Sequence, residues 1–472
     1  MRHQPRAVRL ARIYLFRTRR LTRRQLGTLQ DMKMRAIFWT GAILVGLVIQ
    51  LFAWAADWSA HQFADLQHAN PYLPLLLTPL GMVAVVWLMN RMDPAARGSG
   101  IPQVLLVLKQ RYHWLRPAFL SVRVVLSKFV LTCLALLCGA SVGREGPSVH
   151  IGAALMYQMG QWGRLQHKYV DNALIVAGGA AGVSAAFNAP LAGVVFAIEE
   201  LAQSFEQRTT GTLILAIILS GVVVLTLSGH YSFFGKPQAD MLLLESWPHI
   251  IFAAVICGVL GGLFVRMLVR GSERIAPLVR RHPYRFVLAC GLLITLIGFV
   301  TGGDTYGSGY DQARALLEEN RAGEWWFPLA KMAATLLSYF TGVPGGLFSP
   351  SLATGAGIGA AVSNLFSDGA TVGLTLVGMA GFLAAVTQRP IVSFVIVLEL
   401  TGNHHEMLLS LMAASFVAVA VAKVFHPHPV FEALATSLSE GRGEPVEAGE
   451  QAARDVLKQG AMQDSGASRQ SN

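Results

Sequence analysis

The residues best placed to do chemistry are Gly143-Arg144-Glu145-Gly146-Pro147, where an arginine and a glutamate stand between glycines and a proline inside a strongly apolar chain. Charges at membrane depth mark function by default. The run before them, residues 129–142, is apolar or small, and a helix is expected over residues 148–163 with Pro147 in its first turn. This pattern describes a broken helix whose free N–H groups face a cavity. Such an end attracts anions, because the unpaired amides and the helix dipole both favour negative charge. A carboxylate tethered there, Glu145, competes with any visiting anion. The alternative for Glu145 is a salt bridge to its neighbour Arg144.

A second constellation of this kind is Gly98-Ser99-Gly100-Ile101-Pro102. Two glycines free the backbone, Pro102 opens a helix expected over residues 103–110, and Ser99 adds a hydroxyl beside the helix start. Taken alone, Ser99 reads more often as a turn residue than as a ligand. A third is Gly345-Gly346-Leu347-Phe348-Ser349-Pro350, again glycine-rich ahead of a proline, but without charge. Glu199-Glu200 close a short helix that Pro190 begins. Glu199 is expected to serve structure at an interface. Lys128 either neutralises the cavity or pairs with an acid. His404-His405-Glu406 resembles a metal cluster but follows Thr401-Gly402-Asn403 in a loop with no further ligands, so no metal is expected. The loop 302–309 lacks the lysine ending of a phosphate cradle and reads as a surface connection.

The elements that must hold these residues are set by composition. Of 472 residues 53% are hydrophobic and 14% charged, with 47 glycines, which is too apolar for an ordinary soluble enzyme. Residues 36–55, 72–90 and 209–229 run 20, 19 and 21 positions without a charge, near the roughly 20 that a spanning helix needs. Shorter apolar runs broken by Gly and Pro, at 190–198, 349–366 and 390–398, are tolerated at that depth only where protein or water surrounds them. The four cysteines, Cys133, Cys138, Cys257 and Cys290, sit in apolar runs without a CxxC pair and read as small buried hydrophobes.

The net charge of +11 is concentrated. Residues 1–35 hold ten Arg and Lys33 against Asp31. Leu10, Ile13, Tyr14 and Leu21 share one face, which suits a helix on an anionic cytoplasmic leaflet with the N-terminus inside. A nucleic-acid arm is disfavoured by the adjoining span and by the lack of regular aromatic interleaving, and an organellar targeting peptide stays open.

The second half repeats the first. Lys128, Gly139, Pro147, Ser148, Gly152 and Ala153 recur as Lys331, Gly342, Pro350, Ser351, Gly355 and Ala356, each displaced by 203. Leu174, Gly178, Ala180, Ala185, Pro190 and Glu199 recur as Leu374, Gly378, Ala380, Ala385, Pro390 and Glu399, each displaced by 200. A duplicated unit with paired broken segments points to an all-α polytopic membrane protein of two inverted repeats, with its site between them near mid-membrane. The expected organisation is a basic helix over 1–35, a transmembrane domain over 36–436 (repeats near 36–230 and 248–426) and a short disordered tail over 437–472.

GSGIP at 98–102, GREGP at 143–147, GLFSP at 346–350 and FNAPLAG followed by EE at 187–200 together resemble the CLC family of chloride channels and chloride/proton antiporters, over roughly residues 36–434. The resemblance implies tilted, broken helices in two inverted repeats. It implies that Ser99, Leu347, Phe348 and the position of Phe431 hold the central anion, and that Glu145 is the external gate. Glu200 would pass protons to the inside, as in antiporter members. The family's last anion ligand is a tyrosine in a Lys-Pro-Leu-Tyr context, where this chain has His428-Pro429-Val430-Phe431, so a hydroxyl is lost. Serine at position 99 resembles the chloride-preferring pattern. A multi-pass protein of a bacterial inner membrane, with both termini cytoplasmic, a homodimer with one pathway per subunit, and no cofactor beyond transported chloride and protons follow as expectations. A passive chloride channel without use of Glu200 is the nearer alternative. A membrane-embedded enzyme is the distant one, since HExxH, GxSxG and any nucleophile–base pairing at usable spacing are lacking.

Overall fold

In a computed structural model the chain is described at residues 6–165, 168–201, 207–229, 234–235, 247–318, 323–366, 371–402 and 405–440. The side chains of Leu10, Ile13, Tyr14 and Leu21 lie outside this description, as do His404 and the tail from residue 441.

The first helix, α1, runs unbroken from Arg6–Ala69. The basic segment and the first span, expected as separate units meeting near residue 35, are therefore one rod of 64 residues. No Gly-Pro punctuation separates them, and the apolar part of the rod, Met32–Ala69, simply continues the turn of the charged part. There follow α2 (Pro74–Met92), α3 (Ile101–Leu108), α4 (Arg116–Phe119), α5 (Val122–Leu137), α6 (Glu145–Trp162), α7 (Lys168–Phe187), α8 (Pro190–Phe196) and α9 (Gln207–Ser228). The second half gives α10 (Trp247–Arg281), α11 (Pro283–Val300), α12 (Tyr310–Glu318), α13 (Phe327–Thr341), α14 (Phe348–Ser363), α15 (Thr371–Thr387), α16 (Pro390–Leu400) and α17 (Leu408–Phe425), and α18 (Val430–Glu440) closes the described chain. Among the described residues seven helices are long and apolar enough to cross a membrane, or eight if the bent stretch over α4 and α5 counts as one span. This is a multi-pass integral membrane protein, and the shorter buried helices between the spans are the broken segments that glycine and proline foretell.

The duplication is carried by whole helices. α2 and α11 begin at Pro74 and Pro283, α6 and α14 at Glu145 and Phe348, α7 and α15 at Lys168 and Thr371, α8 and α16 at Pro190 and Pro390. Packing repeats with them: α6 lies on α7 as α14 lies on α15, and α1 lies on α9 as α10 lies on α17. Where α2 meets α11 and α8 meets α16, an element packs against its own mate across a local two-fold axis.

Glycine at matched positions permits the closest crossings. Gly152 on α6 and Gly178 on α7 abut so tightly that a Cβ on either would strike the other's carbonyl, and Gly355 and Gly378 repeat the contact between α14 and α15. Small residues that let backbones touch are how helices associate where lipid removes the hydrophobic drive. The core so formed contains the ends of α6 and α14, and the site lies there.

Candidate functional site

Two chain reversals build the site. α5 ends at Leu137 and Gly139 turns the chain in a left-handed conformation (φ 75°); α13 ends at Thr341 and Gly342 does the same (φ 78°). The short segments that follow run antiparallel. Gly143 donates its N–H to the carbonyl of Gly346 at 2.8 Å, and Gly346 returns one to Gly143 at 2.6 Å. Gly143 and Gly346 are repeat mates, so the exchange sits on the two-fold. It brings the N-termini of α6 and α14 together, both buried.

A third segment completes the wall. The Gly98 N–H donates to Gly342, and the Gly345 N–H to Gly98, both at 3.3 Å. Gly98 (φ 65°) and Gly100 (φ 104°) let the chain turn into α3 and present Ser99 between them. Ser99 is 1% exposed, and its Oγ has no hydrogen-bond partner. That hydroxyl lies where a side chain at Gly146, the second residue of α6, would project. An orphaned buried hydroxyl at a helix start costs about 1–3 kcal/mol unless a ligand accepts its hydrogen bond.

Lys128 fixes this loop from behind. Fully buried on α5, its ammonium donates to the carbonyls of Ala96 at 2.8 Å and Gly98 at 2.7 Å. Of the two expectations for Lys128, pairing with an acid gives way to carbonyl binding, because the loop turns its oxygens inward where the ammonium needs acceptors. Lys331, its mate on α13, is equally buried and donates to the carbonyls of Thr305 (3.0 Å), Tyr306 (3.2 Å) and Gly307 (2.9 Å). The loop 302–309 is therefore more than the surface connection expected of it. Gly302 is exposed, while Thr305 and Tyr306 are buried and give their carbonyls, with that of Gly307, to the lysine.

Glu145, the first residue of α6, is 1% exposed. One carboxylate oxygen accepts a hydrogen bond from the hydroxyl of Ser349, the second residue of α14, and the other has no hydrogen-bond partner. The carboxylate thus lies between two helix starts, where backbone N–H groups favour an anion. The adjacent Arg144 ion-pairs with Asp57 on α1 and donates to the carbonyl of Ala53 at 2.8 Å. The salt-bridge alternative for Glu145 is thereby displaced: Asp57 meets the arginine, and a hydroxyl meets the glutamate. The helix starts at Glu145, three residues before the expected position, so Pro147 is its third residue. Nothing is lost by this, since first-turn N–H groups have no partner within the helix.

Beside these helix starts the wall is aromatic. Phe431, 1% exposed on α18, stacks on Phe348 at 5.7 Å between centroids, and Phe348 meets Phe187 at 6.3 Å and Phe196 at 6.1 Å edge-on. Leu347, Phe348, Phe431 and Ser99 are all buried, and α18 packs along α3, so the residues expected around a central anion share one neighbourhood. Ile101, Pro102 and Pro350 are buried in the same walls.

Glu200 lies on a π-turn that continues α8, Ala197–Leu201. One of its oxygens accepts from Arg389 Nε at 2.8 Å, and the other has no hydrogen-bond partner. Among the described residues no direct hydrogen bond links Glu200 to Glu145. Arg389 escaped the sequence reading; the signal was a charge at the residue before Pro390, where the first half has Ala189. Glu199 behaves differently. Its oxygens accept from the N–H groups of Ile391 (3.3 Å) and Val392 (2.6 Å), while its mate Glu399 accepts from Leu191 (3.1 Å) and Ala192 (2.8 Å). Each carboxylate caps the other repeat's helix, the structural role expected for Glu199. Among the described residues no cluster of three or more metal-ligating side chains occurs.

The comparisons with known proteins agree with this fold. Residues 80–423 match the family model described as voltage gated chloride channel. The H(+)/Cl(-) exchange transporter ClcA of Vibrio cholerae serotype O1 (strain M66-2) is 27% identical over 425 residues, covering 83% of this chain and 88% of its own. ClcA of strain ATCC 39315 / El Tor Inaba N16961 matches equally. Among solved structures, a slow cyanobacterial Cl-/H+ antiporter aligns with a TM-score of 0.74 at 22% identity, over 86% of this chain and 98% of its own. A CLC-type fluoride/proton antiporter aligns with a TM-score of 0.72 at 23% identity, over 85% and 97%. With its fold shared by these transporters and its sequence matched across both repeats, the chain belongs to the voltage gated chloride channel family.

Proposed function

We propose that this protein exchanges chloride for protons across a bacterial cell membrane, with Glu145 as the gate and Glu200 as the internal proton acceptor. The observation that carries the reading is the carboxylate of Glu145, buried between the starts of α6 and α14 and tied to Ser349. Helix amides and the orphaned hydroxyl of Ser99 replace water around chloride without a full positive charge that would trap it. Leu347 and Phe348 supply N–H groups at the start of α14, and Phe431 closes the site with a ring. The filter motifs 98–102, 143–147 and 346–350 are the three backbone segments of that wall. Carboxylate and chloride compete for one place, so protonating Glu145 and filling the site favour each other. The named activity of the Vibrio cholerae relatives supports the same reading.

Chloride efflux and pH followed together in proteoliposomes test it: a chloride gradient is expected to drive protons uphill. Glu145→Ala is expected to abolish proton movement while chloride flux persists. Coupling that survives in that variant refutes the gate assignment. A passive chloride pathway is the second reading, and Arg389 is the observation that favours it, because its ion pair with Glu200 must open each time that carboxylate takes a proton. The protein works as a homodimer with a complete pathway in each subunit, its termini in the cytoplasm, as the basic N-terminal segment favours.

A further inference from the structure

The join between α10 and α11 carries a block of positive charge that the anion site does not use. Residues 250–265 of α10 and 286–300 of α11 are free of charge, whereas residues 266–285 between them hold six arginines against the single acid Glu273. Arg266, Arg270 and Arg274 follow at intervals of four, which sets them on one face of α10, about 6 Å apart along its axis. Arg281 returns to that face two turns later, and Arg280 and Arg285 flank it. All six are exposed. Among the described residues no ion pair engages any of them. The opposite face of the helix is the one that packs inward, with Leu268 and Val269 buried and Ile275, Ala276 and Val279 half-buried.

This charge stands at a membrane boundary. α10 is the mate of α1 and, in inverted repeats, crosses in the opposite direction, so it ends on the side where α1 begins. That is the side of the basic segment 1–35. Tyr284 and Arg285 are exposed just ahead of the charge-free run of α11, the place that amphipathic side chains take at headgroup level. Met267 and Leu278, both exposed, border the arginine face. Unpaired guanidinium groups beside bare apolar side chains fit a phosphate that brings its own acyl chains. A nucleic acid or an acidic protein would match the arginines and leave Met267 and Leu278 uncovered.

We propose that the arginine face of α10 binds the phosphate groups of anionic phospholipids in the cytoplasmic leaflet. Each guanidinium presents a planar fork that takes two phosphate oxygens at once, and the flanking apolar side chains meet the start of the acyl chains. The lipid so held acts on a helix that backs the central site. Gly271, between Arg270 and Arg274, lies against the ring of Phe340, two residues before the Gly342 turn that leads to α14. Bound phospholipid therefore braces α10 where it supports that turn.

Phosphatidylglycerol is the probe. In nanodiscs that contain it, cryo-electron microscopy of the full-length protein should show headgroup density against Arg266 and Arg270. The combined variant Arg266→Gln, Arg270→Gln and Arg274→Gln should lose that density, and the corresponding triple lysine variant, which keeps the charge, should retain it. Native mass spectrometry should show the glutamine variant holding at least one phosphatidylglycerol fewer per chain than the unaltered protein, with phosphatidylcholine binding unchanged; a thermal melt in detergent within a few degrees of the unaltered protein establishes that the variant is folded. Density that is missing from the unaltered protein, a phosphatidylglycerol count that the glutamine variant leaves unchanged, equal retention of phosphatidylcholine at this face, or displacement of the lipid by an equal concentration of inorganic phosphate overturns the inference. None of these readouts measures chloride or proton flux, so their failure leaves the transport reading untouched.

Discussion

Phe431 offers the sharpest single-residue experiment. Its ring stacks on Phe348 in a buried wall, where a tyrosine would add only an oxygen. One hydrogen bond to an ion contributes about 1.5–3 kcal/mol, so Phe431→Tyr is expected to tighten chloride binding by roughly tenfold or more, measured by isothermal titration. Unchanged affinity would remove position 431 from the anion's surroundings. At this scale the sequence was informative wherever a residue broke its context. Glu145 could be read because a carboxylate in an apolar run demands a cause, and Ser99 because glycines and a proline framed it. The bond from Ser349 to Glu145 could not, since it joins residues 204 positions apart. Arg389 drew no reading, and its partner is visible only once α8 and α16 are packed together.

Helices α8 and α16 show what elements contribute. Both begin with proline, which has no N–H, and the next two N–H groups of each are taken by a carboxylate from the other repeat. Removing one acceptor charge leaves those amides poorly paired, so Glu399→Gln is expected to cost about 1–2 kcal/mol. Glu199→Gln should cost the same within experimental error, because the two caps are mates; thermal melting in detergent measures both. Strongly unequal costs would show the two-fold to be formal only. Element existence was legible from charge-free runs and from the repeat offsets. Element boundaries were not: α6 starts at Glu145 and α1 starts at Arg6, because a proline tolerated in a first turn and a basic run that is already helical leave no mark on periodicity.

The whole molecule has two halves of like construction. Apolar side chains stand exposed on α8, α9, α16 and α17, among them Leu191, Leu215, Ile391, Leu409 and Phe416. Light scattering of the detergent-solubilised protein is expected to show two chains per particle, and a particle of one chain that still transports would make the subunit self-sufficient. The duplication was visible at displacements of 203 and 200, but the displacement of 209 that relates Pro74 at the start of α2 to Pro283 at the start of α11 was hidden by a change in connection length.

The bond pair between Gly143 and Gly346 carries a last consequence. Because it lies on the symmetry axis, tilting one half against the other would strain both bonds equally and at once. The seam of this protein is built as a rivet rather than a hinge. A pathway that opens by small swings of side chains around a stationary spine is the expectation it carries, rather than a body opening first to one side and then to the other.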